Sequence, residues 1–281
     1  MTMAIFDPPV SAVPRQRAAG DLFGAEPLFA ATGFALLALM APTAFAAFAD
    51  DRLVNGIEAW TKPLKFQFAL AVYLLTLAFF ARFLPAGTTA GRWYRVFATA
   101  VVGAIAAEVA WIMAASALGT GSHFNPSMVG QVVYPVMGAL AVLLTSATAV
   151  YAVQIARNAG TELSPAVKAG LVWGLGLTLP LTLVTAGTMS AVESHWVGGL
   201  RSDEAGLAVF GWARDGGDLR VAHFFATHAM HLLPAAGLAS AAVLGGSRVW
   251  PVRIAGIALV VFVAAVFAQA LLGQPFLAFL G

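Results

Sequence analysis

"WPVRIAGIALVVFVAAVFAQALLG", residues 250–273, has no charged side chain after Arg253. The hydrocarbon core of a bilayer takes about 20 apolar residues of helix, and this stretch supplies them without help. Read as a membrane-spanning helix, it sets the class of the whole chain. The 281 residues are 60% hydrophobic and 10% charged, with a mean hydropathy of +0.85. A soluble domain carries about 25% charged residues, so this chain cannot cover a water-facing surface. The expectation is an all-α polytopic membrane helix bundle.

Six further apolar runs extend the reading toward the N-terminus. The seven spans are expected near 28–49, 62–84, 93–117, 127–155, 166–192, 219–245 and 250–273. Residues 1–27 are polar and hold Pro8, Pro9 and Pro14, so they read as a tail, and 28–281 as one seven-helix domain. "APTAFAAFADD" imitates a signal-peptidase site, but the run before it is long enough to cross the membrane, which favours an uncleaved first helix. With the N-terminus inside, inner segments hold nine of the 15 Lys and Arg and outer segments six. The basic bias therefore points to N-inside, C-outside. Without cysteine, the chain forms no disulfide, thiolate metal site, cysteine-ligated iron–sulfur cluster or c-type haem.

Against this background the ionisable residues stand out. In "RVAHFFATHAMHLLP", 220–234, Arg220, His223, His228 and His231 fall within an arc of about 140° on a continuous helix. Asp218 is placed to cap that helix, and Pro234 to disturb it one turn beyond His231. Glu108 interrupts span three, and Lys62 and Lys65 open span two. Ionisable groups at membrane depth turn to protein or water. Spans two, three and six are thus expected around an outward-opening polar pocket, with the more apolar spans one, four, five and seven outside them. Helix rise puts Glu108 and His228 both roughly 13–15 Å below the outer boundary, so the two are expected side by side.

Each residue also has a plainer reading. His231 serves equally as a strut between helices. His123 in "GSHFNPS" and His195 in "ESHWVGG" read most simply as loop residues. Lys62 and Lys65 either snorkel to headgroups or meet an anion, and Glu58 is spaced for an i,i+4 pair with Lys62. Gly170 and Gly174 form a GxxxG whose expected use is close helix packing. The Gly-rich stretch 197–217 is either a lid or a connection.

"WTKPLKF" (60–66), "GSHFN" (121–125) and "DGGDLRVAHFFATH" (215–228) resemble a family of bacterial multi-pass inner-membrane proteins without an assigned activity. The resemblance covers most of the chain after residue 55 and implies that location, but no chemistry. A looser, purely topological likeness is to seven-helix membrane hydrolases of the alkaline ceramidase and adiponectin-receptor kind. Their last-helix H-x-x-x-H is missing here.

Three functions follow as expectations. The first is a metal or b-type haem site. Glu108, His223 and His228, with His123 or His195, would hold zinc or iron, and Glu108 and His228 would act on a bound water. The second is a proton-coupled or anion carrier, in which Glu108 and the histidines titrate. Lys62, Lys65 and Arg220 then receive a small anionic or lipid-like ligand. The third is a structural subunit whose polar residues join helices. The lipid bilayer is a partner in all three, and nucleic acid in none.

Overall fold

The computed structural model describes residues 22–277. The chain is an all-α multi-pass membrane bundle. Its helices are α1 (Pro27–Ala49), α2 (Thr61–Phe80, prolonged by a 3-10 turn Ala81–Phe83), α3 (Arg92–Ala117), α4 (Met128–Arg157), α5 (Pro165–Ala191), α6 (Leu219–Thr227), α7 (Ala229–Leu244) and α8 (Trp250–Leu271). Six are long and apolar enough to cross a membrane; α6 and α7, bent by 50° at the break between them, pass the same test only when taken together. The expected tail 1–27 lies almost wholly outside the described residues; α1 begins at its last member, Pro27.

The helix starts follow local chemistry. Ser127 and Ser164 accept from the N–H groups of Gly130 and Val167 at the heads of α4 and α5. Asp218 caps α6 as expected, its Oδ1 accepting from the Arg220 N–H at 2.9 Å. Inside the helices, threonines such as Thr43, Thr76 and Thr178 donate to carbonyls four residues back. Each hydroxyl is thereby satisfied within its own helix, which hydrocarbon surroundings demand.

Successive spans run antiparallel. One end of the bundle, termed upper, gathers the connections 50–60, 118–127 and 192–218. In 50–60, Asn55 and Gly56, both at positive φ, turn a short hairpin of β1 (Leu53–Val54) and β2 (Ile57–Glu58). Glu58 is therefore a strand residue, and the expected helical pair with Lys62 does not form. In 192–218, β3 (Trp196–Val197) pairs with β4 (Gly217–Asp218), closing the intervening residues into a loop. That loop is tied to the hairpin where the Asp203 N–H donates to the Asn55 carbonyl at 3.0 Å.

Two apolar cores are joined through α5. One draws on α1–α4 with Leu171, Leu175 and Met230; the other collects α6, α7, α8 and Trp212. Span five was expected outside the polar helices, yet α5 packs against α4, α6, α7 and α8. The reason is its glycines. A Cβ on Gly170 would lie 2.5 Å from the Leu233 carbonyl oxygen, and one on Gly174 2.7 Å from that of Ala229. Gly237 of α7 reciprocates against Ala166. The GxxxG thus serves close packing, as read from the sequence, and lets an uncharged helix take a central place.

The bend also departs from expectation. It falls at His228, six residues before Pro234, which stays inside α7. The Phe224 carbonyl there receives three donors: the His228 N–H, its Nδ1–H at 2.7 Å and the Thr227 hydroxyl at 2.9 Å. Side chains turned back onto the backbone ladder are a recognised cause of helix bending.

Candidate functional site

A cluster of polar and charged side chains forms at the upper end, from α2, α3, α6 and the connections 118–127 and 192–218. Lys62, in the first turn of α2, donates from Nζ to His123 Nδ1 at 3.2 Å. Its ammonium also lies within electrostatic reach of Glu108, Asp203 and Arg220. Lys62 is thus engaged inside the protein rather than snorkelling. Lys65 donates to the Phe210 carbonyl at 3.1 Å, holding the loop 198–216 over the cluster. Arg220 is the hub of that closure. Its Nη2 is 2.7 Å from Asp203 Oδ1, 2.6 Å from Asp218 Oδ2 and 2.7 Å from the Gly211 carbonyl. The Gly-rich stretch therefore forms a tied cover.

His123 and His195, plain loop residues in the sequence, are drawn into this cluster. An ammonium can only donate, so His123 Nδ1 is an acceptor and the ring is neutral. Burial, then Lys62, His195 and His223, hold the His123 imidazole well below its ordinary value of 6.5. His195 stacks on Trp196 at 3.7 Å, and burial lowers it too. Its Nε2 stands 3.8 Å from Asp203 Oδ1, close enough for an ion pair but too far for a hydrogen bond. Burial alone would raise the Asp203 carboxyl; His195 and Arg220 outweigh it and hold Asp203 below the usual carboxylate range.

The deeper histidines diverge. His223 Nδ1 meets the Thr185 hydroxyl of α5 at 3.1 Å. That hydroxyl points its proton at the Leu181 carbonyl at 3.0 Å, so it accepts from His223. His228 is held on its own helix by Phe224, which also stacks on its ring at 4.0 Å. His231 reaches the Thr76 hydroxyl of α2 at 3.1 Å, the strut anticipated for it, while its Nδ1 is buried without a partner.

The expected Glu108–His228 contact is not made. Glu108 is 5% exposed, and its Oε1 has no hydrogen-bond partner. The charge acting on it is Lys62. Nor do Glu108, His123, His195, His223 and His228 converge as ligands. Among the described residues, no three His, Asp or Glu side chains are placed to hold one metal ion. Lys62 and the Ser122 hydroxyl both engage His123 Nδ1, and Thr185 and Phe224 hold His223 and His228 to different helices.

Other residues of the cluster escaped the sequence reading. Gln67, fully buried, donates to the Thr43 hydroxyl at 2.9 Å and leaves Oε1 unbonded. Trp196 buries an Nε1–H that has no acceptor, and Asp203 joins the cover to α6. Their types are ordinary in a membrane protein's helices and loops, and only their enclosure marks them.

Fold and side chains together define a multi-pass membrane bundle with a cluster of buried charged and polar side chains at one end. No family model, curated protein or solved structure matches the chain.

Proposed function

We propose that the protein is a proton-coupled carrier of a small anion. One observation carries this reading: the Glu108 carboxyl is buried with an oxygen that has no hydrogen-bond partner, and the Lys62 ammonium lies within electrostatic reach of it. A carboxyl kept at such depth is costly and marks ion or proton paths. Lys62 and Lys65 supply the attraction for an anion, Arg220 being held by Asp203 and Asp218, and the unpaired Trp196 N–H a neutral donor. Glu108 is the proton-carrying group. The bent α6–α7 span has the discontinuous form that carriers use beside their sites. In this reading the upper end is the outer face of a bacterial inner membrane, with N-inside, C-outside topology and the resemblance of the three quoted motifs behind it.

The test is proteoliposomes loaded with a pH-sensitive dye and challenged with an inward proton gradient. Chloride, phosphate and acetate are added in turn as probes. Proton entry that depends on one of these anions, and is lost in Glu108→Gln and in Lys62→Met, is the expected result. Entry that persists in Glu108→Gln, or needs no anion, would overturn it.

A metal or b-type haem remains the second reading, on a separate observation. His223 and His228 each spend Nδ1–H on an oxygen, which leaves Nε2 with a free lone pair, the tautomer that ligation requires. A Soret band, or stoichiometric zinc or iron in the purified protein, would favour it over the carrier.

A further inference from the structure

The lower half of α2 carries a groove of about 370 Å³ lined by Phe23, Val72, Leu75, Thr76, Phe79 and Phe80. It is shallow and open to the bundle's surface, and its walls offer almost nothing polar. The α2 members recur at helical spacing, so they form one stripe along the helix. Thr76 in this stripe is also the residue through which α2 reaches His231 of α7.

Arg82 lies directly below. Its guanidinium sits 4.2 Å from the Phe79 ring centroid, so the cation rests on a wall of the groove. It donates to the carbonyls of Phe79 at 3.1 Å and of Leu22 at 2.5 Å, and Leu22 adjoins Phe23, the opposite wall. Both acceptors are neutral. Among the described residues no carboxylate pairs with Arg82. Arg82 is 21 residues beyond Thr61, about 31 Å along the helix. That is about one hydrocarbon thickness. With Thr61 at the upper boundary, Arg82 falls at the level of the opposite headgroups and the groove within the acyl region above it.

The geometry points to a site for one anionic phospholipid, its acyl chain along the Val72–Phe80 stripe and its phosphate on Arg82. Charge selects the lipid. A guanidinium whose acceptors among the described residues are both neutral carbonyls favours a net-negative headgroup over a zwitterionic one, and a basic side chain at the interface is worth about a fivefold preference. The site is independent of the upper cluster and holds whether or not the protein is a carrier.

The experiment is native mass spectrometry of the detergent-purified full chain, titrated with dioleoyl phosphatidylglycerol and dioleoyl phosphatidylcholine. The first phosphatidylglycerol should bind about fivefold more tightly than phosphatidylcholine. Arg82→Gln should abolish that preference and Arg82→Lys keep most of it. Val72→Phe, which fills the groove, should weaken both lipids. Equal binding of the two lipids to the wild type overturns the site, whatever the variants do. A preference intact in Arg82→Gln, or an affinity untouched by Val72→Phe, also overturns it. So does a chain lacking residues 1–21 that gains a new phosphatidylglycerol site, since the groove would then belong to the protein's own N-terminal segment.

Discussion

Acidifying the medium from pH 7.5 to 5.5 should loosen the upper cluster through His123. Its Nδ1 accepts from Lys62, so a proton there removes the acceptor and sets a second cation against the first. The groups that face it are Lys62 from α2, His195 from the cover and His223 from α6. The Ser122 hydroxyl and the rings of Phe66, Phe124 and Tyr134 complete its surroundings. In the unfolded chain the imidazole titrates near 6.5; in the fold it is held well below that. A depressed folded value means that the stability is complete above pH 6.5 and is lost as pH falls. Over the interval from 7.5 to 5.5 one such group costs about 1.4 kcal/mol, or roughly 3–6 °C in Tm at this chain length. His195, lowered by burial, acts in the same direction. The assay is thermal unfolding in a non-ionic detergent at the two pH values, for the wild type and for His123→Gln, whose amide oxygen can still accept from Lys62. The variant should lose about half of the acid-induced drop. An equal drop in both proteins, or none in the wild type, would refute the neutral, Lys62-bonded imidazole.

Gly174→Leu should cost about 3 kcal/mol or more by overpacking, because even a Cβ there lies 2.7 Å from the Ala229 oxygen and 2.8 Å from Pro234 Cδ. Gly138→Ala, with nothing within 4 Å, should leave the melting temperature unchanged. Asp203→Asn should weaken the cover by about 1–3 kcal/mol, since Arg220 keeps Asp218 but the charge of its 2.7 Å partner is lost; faster proteolytic nicking within 198–216 would reveal it. Tyr151→Phe should cost about 1 kcal/mol by deleting the 2.6 Å hydroxyl pair with Tyr94, both residues being fully buried, and chemical denaturation in mixed micelles would measure it.

The spans were legible because one physical requirement dominates them. A helix must bring about 20 apolar residues to cross hydrocarbon, and any shorter run would show. The run read at 93–117 is α3 to within one residue, and 250–273 overshoots α8 by two. The place of α5 was not legible by the same token. Charge does not mark centrality here: α5 becomes central through the small residues Gly170 and Gly174, which carry no polar signal. The bend was assigned to Pro234 because proline is the visible helix breaker. What bends the helix is a hydrogen bond from the His228 side chain to the Phe224 carbonyl, a competition between side chain and backbone that any histidine in a helix could enter or decline.

Glu108 and His228 show where the cluster stopped being readable. Depth along a helix accumulates at 1.5 Å per residue, so an error of one residue at a boundary moves a side chain hardly at all between leaflets. The same error turns it by 100° about the axis. A depth match therefore survives uncertain boundaries while the question of which neighbour it faces does not. Side-chain length compounds this. Lys62 begins at the head of α2, well above Glu108, yet its four-carbon stem brings the ammonium within electrostatic reach of that carboxyl and onto His123. His228, at the depth of Glu108, spends its short reach on its own helix. Partners in such a cluster are chosen by azimuth and reach, and neither is written in the depth of a residue along its helix.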